Sequence, residues 1–182
     1  MTKAFGIVLL VAWFYSANAQ QYFTRTGEIS FYSSTPVEDI EAKNKTVTAI
    51  FDATSGKIQF SAAMKSFKFE KALMEEHFNE NYVESDQFPK STFNGVIENI
   101  GDVNCENDGV YDIVVSGNLT IHGVTKKINT TGSLTVKGEN IEGKSMIIVK
   151  PEDYNIEIPS VVRDKIAEQV RVEMHMIFVE KK

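Results

Sequence analysis

One cysteine, four prolines and three histidines among 182 residues exclude several ways of building and using a protein. A lone thiol cannot form an internal disulfide, so packing has to hold the fold together. Cys105 sits in the polar stretch Gly101-Asp102-Val103-Asn104-Cys105-Glu106-Asn107-Asp108-Gly109, which reads as a hairpin tip with neither a base nor a second ligand nearby. That argues for a bystander thiol over a reactive or metal-bound one. His77, His122 and His175 are too scattered to form a local metal motif. There is no G-x-S-x-G nucleophile elbow, phosphate-cradling glycine loop or dinucleotide fingerprint, so neither enzyme activity nor a cofactor is expected. Lys and Arg form no block, and the formal net charge is −6. Dispersed acidic charge argues against nucleic acid or an anionic membrane surface as partner.

What is present begins with a short apolar run. Met1-Thr2-Lys3 carries one positive charge, Phe5 to Tyr15 is almost wholly apolar, and Ala17-Asn18-Ala19 fits a small-x-small cleavage site. The run is too short for a comfortable transmembrane helix and lacks a stop-transfer flank, so residues 1–19 are expected to be a cleaved signal peptide. The mature chain, residues 20–182, would carry a charge of about −7 once Lys3 is removed from the total of −6. Its length suits one domain with a real core. The expected location is the periplasm or the exterior, with no integral membrane segment remaining.

Beyond that segment, period-two alternation dominates. Val47, Ala49 and Phe51 alternate with Thr46, Thr48 and Ile50, and Ile58, Phe60, Ala62 and Met64 follow the Ser55-Gly56 turn. Tyr111, Ile113, Val115, Leu119 and Ile121 face away from Asp112, Ser116, Asn118 and Thr120. The last strand is the cleanest, with Val170, Val172, Met174, Met176 and Phe178 set against Arg171, Glu173 and His175. Eight such strands, mostly joined by short polar turns, predict an all-β antiparallel barrel or sandwich.

The alternation stops for one long stretch, from Leu73 to Phe93. Phe69/Leu73 and Met74/Phe78 are i,i+4 pairs with acids between them, which predicts a helix after the third strand. Phe88-Pro89 then returns the chain to extended backbone. A second short helix is expected within Pro159 to Ala167. An amphipathic insertion in an all-β domain reads as a lid, and a lid needs something to cover. Gly117 and Gly132 interrupt inward apolar rows; each either opens space on the barrel axis or marks a bulge.

Several segments together resemble the YceI-like lipid-binding family. Asn81-Tyr82-Val83-Glu84-Ser85-Asp86-Gln87-Phe88-Pro89-Lys90-Ser91-Thr92-Phe93 is similar to that family's F…(Y/F)P-x-(A/S)-T-F element, with Glu76-His77-Phe78 just before it. Gly117-Asn118-Leu119-Thr120-Ile121-His122-Gly123-Val124-Thr125-Lys126 resembles its G-x-L-T-(I/L)-(N/H)-G-V-T-(K/R) element, and Asp153-Tyr154-Asn155-Ile156 its late D-F-N/G-I element. Gly27 to Ser33 and Val37 to Asn44 depart from the family's opening strands. The resemblance implies an exported, eight-stranded antiparallel lipocalin-like β-barrel whose interior holds a long apolar chain such as a polyisoprenoid, an isoprenoid quinone or a fatty acid or amide.

The residues expected to line such a tunnel and its mouth are Phe60, Phe67, Phe69, Leu73, His77, Phe78, Asn81, Tyr82, Phe88, Phe93, Ile113, Val115, Gly117, Leu119 and Gly132. Tyr82, His77 and Asn81 would supply polar specificity at the opening. The aromatics around the lid serve equally as a plug of core side chains. Beside Glu76 and Glu80, His77 reads as part of a solvated helix face more readily than as half of a metal pair. Two functions follow: a non-enzymatic carrier of a long-chain lipid, or an envelope interaction module with a solid barrel. A homodimer is compatible with either.

Overall fold

A computed structural model describes residues 20–181. The expected signal peptide therefore lies outside the described residues. The strands are β1 (Gln21–Ser34), β2 (Asp39–Asp52), β3 (Lys57–Ala63), β4 (Lys68–Phe69), β5 (Lys90–Ile97), β6 (Gly109–Ile121), β7 (Val124–Lys137), β8 (Asn140–Val149) and β9 (Val170–Glu180). They run β1-β9-β8-β7-β6-β5-β3-β2 around the ring, and β1 pairs antiparallel with β2 to close it. The two-residue β4 adds to β2 outside that ring. The chain thus forms a closed eight-stranded antiparallel barrel, as its alternation and its resemblance led one to expect.

One end of the barrel is solid. Tyr22, Phe51, Ile97, Leu134, Val136, Ile141 and Phe178 are all buried there, and the Phe51 ring lies 6.0 Å from both Tyr22 and Phe178. Large inward side chains from facing strands meet at the same level and fill the axis, as barrels of this strand number allow.

The other end flares. β3 pairs with β2 only from Phe51–Ile58 to Thr48–Ser61; beyond that it leaves, and β4 takes over the edge of β2 at Ala42 and Lys43. On the far side the β7–β8 ladder runs from Lys137–Asn140 to Gly132–Ser145. At that fork two hydroxyls stand in for ladder bonds: Thr130 donates to the Met146 carbonyl and Ser145 to the Thr131 carbonyl, both at 2.8 Å. Two widened seams at one end leave space that the facing side chains do not close.

β1 and β2 begin earlier than the alternation suggests, because polar side chains occupy inward positions. Asn44 is fully buried beside the β1–β2 register shift. Its Nδ2 donates to the Ala63 carbonyl at 2.9 Å, and its Oδ1 accepts from the Thr46 amide at 2.9 Å. A satisfied buried amide is stable, yet it breaks the hydrophobic pattern of the strand.

The lid consists of α1 (Ala72–His77) followed directly by a π-turn over Phe78–Tyr82, where the Val83 amide donates to the Phe78 carbonyl at 2.9 Å. The β8–β9 connection carries 3-10 turns at Pro151–Tyr154 and Ser160–Val162. The short helix expected from Pro159 to Ala167 is thus a single turn, and the Ala167 amide donates instead to the Ser33 hydroxyl at 2.8 Å. Cys105 is buried in the β5–β6 connection, and burial pushes its thiol above the ordinary value. Among the described residues no helix is long and apolar enough to cross a membrane.

Candidate functional site

The flared end encloses a cavity of about 500 Å³. Inward residues of β1, β3, β6, β8 and β9 form its wall, among them Phe31, Ala62, Ile121, Ile147 and Val172. Its size falls within the range of ordinary small-molecule pockets, about 300–1,000 Å³. Alternation positions these side chains, since every second residue of a strand must point inward.

Two flaps cover the opening. The first is the lid: its π-turn brings Phe78, Tyr82 and Val83 onto the cavity. The Phe78 ring lies 5.4 Å from Phe31, 5.8 Å from Phe67 and 5.1 Å from Phe69, so one lid side chain closes a four-ring aromatic cluster. Burial pushes the Tyr82 hydroxyl above the usual tyrosine value. The second flap is the β8–β9 connection, which contributes Ile156, Ile158, Val162 and Ile166. Charge is confined to the rim. There Glu38 from the β1–β2 turn pairs with Lys71 at the start of the lid at 2.9 Å, and Lys165 and His77 stand nearby on the lining.

The flaps are joined by one half-buried imidazole. His122, in the β6–β7 turn, places Nε2 2.7 Å from Glu84 Oε2 of the lid and Nδ1 3.1 Å from the Tyr154 carbonyl oxygen of the second flap. Phe88 packs edge-on against its ring, centroid to centroid 4.4 Å. Both partners are acceptors, and each ring nitrogen faces one of them. Glu84, His122 and Asn155 are the non-glycine residues with positive φ among the described residues, at 44°, 48° and 56°; the first two form the clasp and Asn155 directly follows Tyr154. Unusual backbone collected at one point marks a place that the surroundings over-determine. His122→Asn keeps a residue that tolerates the turn but shortens its reach. It is expected to cost about 1.5–3 kcal/mol of local stability, read as faster amide exchange across residues 72–88 while β7 and β8 stay protected.

A model of the YceI-like domain matches residues 18–178. The chain belongs to the YceI-like family. A comparison with curated protein sequences gives no match. Among solved structures, a polyisoprenoid binding domain from Saccharophagus degradans implicated in plant cell wall breakdown superposes with a TM-score of 0.78 at 15% identity, covering 90% of this chain and 100% of that one. BcnA of Burkholderia cenocepacia gives 0.69 at 17% identity, over 83% of this chain and 95% of its own. A Campylobacter jejuni YCEI protein gives 0.56 at 13% identity, over 100% and 99%. At such identities the likeness shows the YceI-like fold.

Of the residues expected at the site from the sequence, the YceI-like barrel places Phe60, Phe67, Phe69, Leu73, His77, Phe78, Tyr82 and Leu119 on the cavity lining. The others lie elsewhere. Asn81 is exposed on the lid, and Phe88 packs against His122. Phe93, Ile113 and Val115 are buried in the core outside the cavity lining. Gly117 and Gly132 open no space. A Cβ on Gly117 would lie 2.6 Å from Phe93 Cζ, and one on Gly132 would lie 2.4 Å from the Lys144 carbonyl oxygen. A neighbouring ring fills the first gap and a closely approaching strand the second.

The second flap and the β1, β8 and β9 walls were missing from that expectation. The Ile156/Ile158 alternation and the Val162/Ile166 i,i+4 spacing are sequence signals from which the flap could have been found. The histidines occupy three separate places: His77 at the rim, His122 in the clasp, and His175 on the barrel exterior beside Glu142 at 2.6 Å.

Proposed function

We propose that this protein is a non-enzymatic, exported carrier that holds the apolar chain of one lipid, such as an isoprenoid or a fatty acid or amide, in the flared end of its barrel. The observation that carries this reading is the one-ended, largely apolar cavity beneath two clasped flaps, with charge confined to its rim. Such a site stabilises a hydrocarbon by about 0.8 kcal/mol per methylene removed from water and needs no reacting group. The polyisoprenoid binding domain from Saccharophagus degradans, which shares the fold, supports a lipid as the class of ligand. The solid-barrel interaction module loses its premise where the barrel is hollow. Export rests on the expected cleavage after Ala19, outside the described residues.

The test is native mass spectrometry of protein purified from its own host, with sequencing of the mature amino terminus. A hydrophobic adduct released by solvent, on a chain beginning near Gln20, is the expected result. Repeated recovery of adduct-free protein, together with no uptake of added fatty acid or isoprenoid alcohol, would overturn the carrier; a retained residue 1–19 segment would overturn the cleaved export signal.

A further inference from the structure

We infer that the barrel measures its ligand: a floor across its middle limits the buried chain to about fifteen to twenty carbons. This rests on the carrier reading and adds a length limit to it.

The cavity lining ends at Ile29, Phe60, Leu119 and Met174. On each strand the next inward residue towards the solid end, Gly27, Ile58, Gly117 or Met176, no longer belongs to the lining; across the ladders Ile29 is opposite Met174, and Phe93 is opposite both Phe60 and Leu119. Immediately beneath, two features close the axis. Phe93 is 4% exposed and stacks on Phe60 at 5.2 Å and 18°, its ring seated over the facing glycines Gly95 and Gly117. On the opposite wall the side chain of Met176 lies across Gly27, where an added Cβ would come within 2.2 Å of its sulfur. Glycines from three strands thus accept neighbouring side chains, which together form the plug. Below them the barrel is the solid core.

A chain entering past the flaps therefore meets packed side chains halfway down. A methylene takes up about as much room as a molecule of liquid water, ~30 Å³, so a 500 Å³ cavity holds on the order of fifteen to twenty carbons. Carbons beyond that remain in water and add no burial.

The experiment measures displacement of a fluorescent fatty acid from the whole mature protein by geraniol, farnesol, geranylgeraniol and solanesol. Affinity is expected to rise at least tenfold per isoprene unit up to farnesol or geranylgeraniol, with no gain at solanesol. Phe93→Ala removes the plug and should move the plateau to longer chains; Phe93→Leu does so less while better preserving the fold. Affinity that climbs through solanesol in the unmodified protein, or a plateau that neither folded variant moves, overturns the floor but leaves the carrier standing. Failure of every alcohol and of the fatty acid to bind overturns the carrier, and the length limit with it.

Discussion

Gly117→Val should destabilise the barrel by about 4 kcal/mol, lowering its midpoint of thermal unfolding by about 10 °C. The new Cβ would lie 2.5 Å from the Gly95 Cα and 2.6 Å from the Asn94 carbonyl oxygen, and backbone on a paired strand cannot step aside. It would also meet Phe93 at 2.6 Å and push that ring off Phe60. Overpacking of this kind costs about 3 kcal/mol, and a lost aromatic stack about 1 kcal/mol more. Urea and thermal unfolding measure the effect, with Gly117→Ala as an intermediate step. A valine variant within about 1 kcal/mol of the parent would show that the glycine pair is not tightly occupied.

Ala62→Trp should have the opposite signature: binding lost by about a thousandfold, stability kept or raised. Ala62 is 1% exposed, yet its methyl faces the cavity between Phe60 and Met64. An indole there occupies room that about five methylenes of a ligand would use, and at ~0.8 kcal/mol each their displacement amounts to about three powers of ten in affinity. Filling a void removes part of the penalty an empty cavity imposes on the fold. Displacement titration with a fluorescent fatty acid, paired with urea unfolding, reads both quantities. Parent-level binding in a folded variant would remove the cavity as the binding site.

The strands were legible wherever inward positions are apolar. Val170 to Phe178 announces β9 because every second residue is large and hydrophobic. The first half of β2 was hidden because its inward row, Ile40, Ala42 and Asn44, ends in a polar residue at a register shift, and no pattern reveals that residue's partners, the Ala63 carbonyl and the Thr46 amide. The division of the barrel into a solid and a hollow end was equally invisible. Alternation says which residues point inward, but not which ones meet across the axis. Gly117 shows the difficulty, because what fills its gap is Phe93, a side chain from the neighbouring strand. The clasp joins residues 38 and 32 positions apart through His122, so only the folded chain brings it together.

The solid end has one more consequence, for how such a chain can change over time. Its seven tightly buried side chains hold the closed ring together, while residues on the cavity wall have empty space on one side. Substitutions on that wall disturb fewer neighbours and alter mainly what fits inside. Changes on the wall can therefore reshape the cavity without putting the closed ring at risk.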